Sequence, residues 1–244
     1  MINAAMRAQS PRLPDELAGR LREWIMTGRL RAGDHLHLER LAEHLGVSVT
    51  PVREALLALR GEGFVDLEPR RGFTVVPLSP HDFADAHRVQ ASIAGELAAR
   101  AAPRITAEPL AELDALLDEM RLAAQFVLAD MGDVVTRFHA VLWRIADSPK
   151  LSWFLGIATR YAPQHVAAAV PGWREMAVTD HQALLLALQQ HDPVAARSAM
   201  HEHVTRTGES LIHHLQQLGL WSHTPETGPH QGVPHHTGNN DPGG

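Results

Sequence analysis

The sequence predicts a mainly α protein in two parts: an N-terminal winged helix-turn-helix (three helices plus a two-stranded wing), then an all-α antiparallel helical bundle. Three observations predict it. Before residue 77, three amphipathic runs precede two strand-like segments separated by an arginine-glycine turn. After Pro80 nearly every segment carries helical periodicity, and strand signals are absent. The chain has 244 residues, 45% hydrophobic and 20% charged, which is ordinary globular composition with length for one large domain or two ordinary ones.

Residues 1–12 read as a flexible arm. In "PDELAGRLREWIMTGRL", Leu17, Leu21, Trp24 and Ile25 share one helical face, and Gly28 marks the end. "RAGDHLH" reads as a turn. "LERLAEHLG" is a short helix with Leu38, Leu41, Ala42 and Leu45 inward, stopped at Gly46. A third helix follows, with Ser48 or Thr50 as N-cap and Pro51 tolerated in its first turn. There Val52, Ala55, Leu56 and Leu59 point inward, leaving Val49, Thr50, Arg53 and Arg60 toward solvent. "GEGFVDLEP" and "RRGFTVVP" are the wing strands. Beyond Pro80, breaks at Pro103, near Asp130–Gly132, at Ser148-Pro149, Pro171-Gly172 and Asp192-Pro193 divide the chain into about six helices. Residues 219–244, rich in Pro, Gly and His without periodicity, read as a disordered tail.

No run of about 18 apolar residues predicts a membrane span, and the N-terminus lacks a secretory signal. Without cysteine, neither disulfides nor thiolate metal sites can form, and a cytoplasmic location is the default. The net charge is −6, unevenly distributed: residues 1–77 carry eleven basic and ten acidic side chains, residues 78–244 eleven and eighteen. If nucleic acid is the partner, only the first part is suited to touch it.

A helix of the third segment's width enters a major groove, and outward side chains reach base edges. Arg53 is the candidate for that contact, since its guanidinium matches guanine acceptors in a fork. The hydroxyls of Ser48 and Thr50, with the free amides at the helix start, suit a phosphate. Arg70, Arg71 and Gly72 at the wing tip suit the minor groove or the backbone. On periodicity alone, a small helical bundle with an ordinary hairpin is an equal reading.

"LAEHLGVSVTPVREALLALRGEGFV" followed by "RRGFTVV" resembles the winged-helix domain of the GntR family of bacterial transcription regulators, over about residues 13–77. The resemblance implies an operator reader. Two departures stand out: Val49 replaces the arginine of a common S-R-T-P, and Glu39 stands where the preceding helix often carries arginine, with Arg40 beside it. Losing a bidentate contact removes roughly 1–3 kcal/mol of base discrimination, so operator preference does not carry over.

Seventeen histidines punctuate the chain. His223, His230, His235 and His236 lie in the tail, whereas His139, His181 and His203 each sit among apolar residues on a different expected helix. A histidine in such a setting is usually a core residue with a hydrogen-bond partner, and spacing alone does not establish that the three share one site. "FHAVLWRIADSPKL" and "DHQALLLALQQHDPVAARSAMHEHV" make residues 80–218 similar to the all-helical FCD ligand-binding domain of many GntR regulators. That resemblance implies a cavity with a divalent metal, zinc or nickel-like, ligated by an acidic residue and three histidines. The histidines carry over to His139, His181 and His203, with His201 competing for the last. The acidic ligand does not: Val135 stands one turn before His139, and Asp133 falls on another face. The outcomes are a three-histidine site of lowered affinity or a metal-free cavity.

Arg88 is the candidate partner for an effector carboxylate, or else a surface ion-pair partner of Asp85. The expected function is a ligand-responsive transcription regulator, binding a double-stranded operator as a homodimer and a small carboxylate in the bundle. The alternatives are a constitutive regulator whose bundle only dimerises, or a three-histidine metal hydrolase, for which neither "HExxH" nor a spaced general base is present.

Overall fold

The computed structural model describes residues 12–69, 71–126, 131–161 and 170–221. Among these lie nine α-helices and one small sheet. Helix α1 (Leu13–Met26) buries Leu17, Leu21, Trp24 and Ile25 as its periodicity requires, and stops two residues before Gly28 at φ 73°. Helix α2 (Leu38–Leu45) ends at Gly46, whose left-handed φ of 69° only glycine adopts freely. It buries only Ala42 fully; Leu38, Leu41 and Leu45 are half-buried against the core. Helix α3 (Val49–Gly61) fully buries Val52, Ala55, Leu56 and Leu59. Val49, expected in solvent, is half-buried and packs on the core.

The sheet has three strands, one more than the expected wing. Strands β2 (Val65–Glu68) and β3 (Gly72–Val75) form the antiparallel hairpin. Strand β1 (His35–Leu36), inside the expected "RAGDHLH" turn, pairs with the other edge of β3, His35 opposite Thr74 and Leu36 opposite Phe73. A two-residue strand carries no periodicity; its partner 39 residues away decides it.

The remaining helices are α4 (Pro80–Ala101), α5 (Ala107–Phe126), α6 (Met131–Ala146), α7 (Pro149–Ala158), α8 (Trp173–Gln189) and α9 (Pro193–Gln217); all but α7 end near the expected breaks, and α7 stops at Ala158, well before Pro171. A capping box fixes the start of α4: the Ser79 side chain accepts from Asp82 N–H, and Asp82 accepts from Ser79 N–H at 2.6 Å. Helices α4 and α9 form the most extensive pair. Their approach depends on Gly208, where a Cβ would lie 2.5 Å from the buried His87 ring.

Residues 219–221, assigned from sequence to the tail, are packed. Trp221 donates from Nε1 to the Leu78 carbonyl at 2.8 Å and meets Phe83 edge-on, pinning the linker before α4. Those ring contacts supply the burial that missing periodicity concealed. The rest of the expected tail, and residues 1–11 of the expected arm, lie outside the described residues.

Candidate functional site

Two places concentrate chemistry. The first is the outer face of α3. Ser48 is its N-cap, but its side chain makes no cap hydrogen bond, so the first-turn amides lack a side-chain acceptor. Ser48, Thr50 and Arg53 are exposed, and Arg53 has no ion-pair partner among the described residues. The opposite face is anchored by Val52, Ala55, Leu56 and Leu59, each 0% exposed, so the outward side chains stand on a rigid support. At the wing tip Arg71 is exposed, 3.4 Å from Glu68, and Gly72 takes φ 84° to start β3. Arg70 lies outside the described residues.

The second place is inside the bundle, where α6, α8 and α9 bring His139, His181 and His203 together. One nitrogen from each lies within 4.8 Å of the others, and Nε2 of His139 and His181 are 3.1 Å apart. His201 is exposed, so α9 contributes His203 to this cluster. Nδ1–H of His181 donates to the Ala177 carbonyl at 2.7 Å, leaving Nε2 with a lone pair; Nε2 of His139 then carries the shared proton. His203 is held from behind by Asp180 at 3.2 Å, and Asp180 accepts from Arg206 at 2.6 Å. Burial, then the His203 charge, lowers the His139 pKa to about 3. Burial, then His203 and His139, lowers that of His181 well below its ordinary value. Imidazoles oriented from behind by carbonyl and carboxylate partners suit the role of nitrogen ligands to a metal. The donor set fits zinc or a nickel-like ion with open positions. Val135, 2% exposed, supplies no oxygen there.

A cavity of about 460 Å3 adjoins His139, lined by Trp143 of α6, Gln90 of α4, Leu155 and Thr159 at the end of α7, and Met200 and Val204 of α9. Arg88 is not among its walls. It is exposed and paired with Asp85 at 2.5 Å, because positions three apart on a solvent face meet each other first. This is the ion pair with Asp85 that the sequence offered as the alternative to effector binding. Sequence reasoning missed Gln90 and Asp180. Asp180 directly precedes His181, but only the packing of α8 on α9 shows which ring it supports.

A cluster at the end of α3 ties the two parts together. Glu62, whose side chain is 8% exposed, accepts from Arg22 of α1 at 2.7 Å and from Arg160 at 2.6 Å. Tyr161 donates its hydroxyl to the Glu62 carbonyl and stacks on Phe64 at 4.6 Å. Arg160 and Tyr161 form the one-turn extension of α7 (Thr159–Tyr161), whose first residue also lines the cavity.

Residues 13–75 match the family model described as "Bacterial regulatory proteins, gntR family", and residues 85–206 match that of the FCD domain. The transcriptional regulator McbR of Escherichia coli K12 is 27% identical over 189 residues, covering 75% of this chain and 85% of that protein. The transcriptional repressor RspR of the same strain is 28% identical over 210 residues, covering 82% and 90%. The solved structure of E. coli McbR/YncC superposes with a TM-score of 0.63 at 26% identity, over 85% of this chain and 98% of the other. A Rhodococcus regulator at 20% identity and TM-score 0.56 shares the fold.

Proposed function

Because the chain belongs to the gntR family of bacterial regulatory proteins and carries an FCD domain, it is a DNA-binding transcription regulator and not an enzyme; from that premise we propose that a small carboxylate controls its operator binding. Residues 13–77 act as the reader and residues 80–218 as the sensor and dimerisation domain, working in the cytoplasm. As a homodimer, the protein places two α3 helices in successive major grooves, half-sites about one helical turn apart. Arg53 reads base edges, Ser48, Thr50 and the open amides of α3 hold phosphate, and Arg70, Arg71 and Gly72 of the wing grip the flanking backbone. His139, His181 and His203 hold a divalent metal, which supplies the positive charge for the effector carboxylate.

One observation carries the ligand-responsive reading over a bundle that only dimerises. Glu62, at the end of the reading helix, is held by Arg160 and Tyr161, which continue the helix that walls the cavity. A ligand that prefers one setting of α7 then prefers one setting of α3. The test selects operators from randomised duplexes, then measures affinity by fluorescence anisotropy with zinc and a panel of small carboxylates. A palindromic site is expected, with affinity shifted several-fold by one carboxylate. Selection of no duplex refutes the reader; affinity indifferent to every carboxylate, with and without zinc, leaves a constitutive regulator.

A further inference from the structure

A second cavity, of about 470 Å3, opens where reader and sensor meet. The end of α1 and the turn after it supply Ile25, Leu30 and Arg31, β3 supplies Val75, and the end of α9 with the residues beyond it supplies Leu215, Leu218 and Trp221. Its size suits a small molecule, and junctions between folded parts are a preferred place for such sites. Both banks are held in place. On the reader side, Arg31 N–H donates to the Asp34 carboxylate at 2.8 Å and Gly33 N–H to the Val75 carbonyl at 2.9 Å, tying the turn to β3. On the sensor side, Trp221 is fixed on Leu78 and Phe83. The banks touch where Leu220 meets Gly28, since a Cβ on Gly28 would lie 3.0 Å from Leu220 Cδ1. Among the described residues, the charged group in the walls is the Arg31 guanidinium, and it has no ion-pair partner there; Asp34 accepts from the Arg31 backbone instead. Apolar banks with one uncompensated cation match a molecule that is apolar along its length and negative at one end.

We propose that this junction is a ligand site in its own right, taking an amphipathic monoanion whose apolar body lies between the two banks and whose charge meets Arg31. Because the walls come from both parts, a bound molecule favours the setting of the reader in which both banks are present, and so alters operator binding. The site uses neither the histidine cluster nor the cavity beside it; it rests only on the reader binding DNA.

The probes are anilinonaphthalene sulfonate and its uncharged analogue phenylnaphthylamine, titrated by fluorescence into the full-length protein. Saturable binding of both is expected. Arg31→Gln should weaken the sulfonate about two- to fivefold, the scale of an exposed ion pair, and leave the uncharged probe within about twofold. Leu218→Asp, at a wall position 67% exposed where folding tolerates the change, should weaken both probes. Operator affinity, read by anisotropy with a red-emitting label, should shift several-fold in the sulfonate-saturated wild type, and by less in Arg31→Gln at the same probe concentration. Binding of neither probe, or binding unchanged in both variants, overturns the site. Equal loss of both probes in Arg31→Gln overturns the anionic class. Probe binding that appears only when residues 222–244 are removed makes that segment the occupant and overturns the ligand site. Unchanged operator affinity at saturation overturns control from this junction. A protein that selects no duplex fails as a reader and takes this control with it, whereas probe binding is read without DNA.

Discussion

Tyr161→Phe removes one oxygen and tests whether the contact at Glu62 transmits ligand binding to the reading helix. The ring remains to stack on Phe64 at 4.6 Å, so packing is preserved. Burial, then the Glu62 and Asp82 charges, raises the Tyr161 pKa, so the hydroxyl is protonated and donates to the Glu62 carbonyl. Its loss removes a net hydrogen bond of about 0.5–1.5 kcal/mol and leaves a part-buried carbonyl short of a donor, about 1–2 kcal/mol together. The Arg160–Glu62 pair survives, but with Arg160 44% exposed it contributes about 0–1 kcal/mol and does not mask the loss. At about 2–4 °C per kcal/mol for a chain of this size, Tm should fall by roughly 2–8 °C. If the contact transmits, each 1.4 kcal/mol lost from the coupling reduces the ratio of operator affinities with and without effector about tenfold. Thermal melts and operator anisotropy read both quantities. A Tyr161→Phe protein that melts lower but keeps the full ratio, and keeps it with Arg160→Ala added, refutes transmission through Glu62.

Four further outcomes are expected. Arg53→Ala should abolish operator binding in anisotropy while shifting stability by less than about 0.5 kcal/mol, since Arg53 is exposed and has no ion-pair partner among the described residues; unchanged affinity contradicts the groove assignment. His181→Ala and His139→Ala should each lower bound zinc in elemental analysis of protein lacking residues 222–244, whereas His201→Ala should not; equal zinc in all variants removes the site. Val135→Asp should destabilise the metal-free protein by several kcal/mol, because it buries a carboxylate at a position 2% exposed. Zinc should then stabilise it more than it stabilises the wild type, and calorimetry showing no gain in zinc affinity refutes that geometry. Finally, His87, His139 and His181 have folded pKa values depressed by burial, so below about pH 6.5 the unfolded chain takes up protons that the folded chain refuses. Metal-free stability should therefore be highest above pH 6.5 and fall as pH drops, with His139 alone contributing up to about 1.4 kcal/mol per pH unit until about pH 3. A flat stability profile from pH 7 to 4.5 contradicts the buried neutral cluster.

Local rules reached as far as the elements. Val52, Ala55, Leu56 and Leu59 repeat at helical spacing between glycine stops, so the inner face of α3, and hence its outer face, was legible before any coordinates. The proline and glycine breaks bounded α4 to α9 for the same reason, except at the end of α7. Convergence was not legible. No periodicity says that His139 meets His181 across 42 residues, and family resemblance supplied that trio where spacing left three unrelated core histidines. The pairing of β1 with β3 was equally silent.

Glu62 and Tyr161 lie 99 residues apart, in segments that each read as an ordinary helix end. Gln90 looks like one more polar residue on a long helix until its Oε1 proves to be buried without a partner among the described residues. Both arise where two separately folded surfaces leave a polar group to find its partner across the gap. Glu62 finds three donors, from Arg22, Arg160 and Tyr161, and joins reader to sensor. Gln90 Oε1 finds none among the described residues. The outer face of α3 follows from a pattern that one helix can encode, whereas a switch needs two surfaces. A sequence of this kind therefore discloses its reader well before it discloses what the reader obeys.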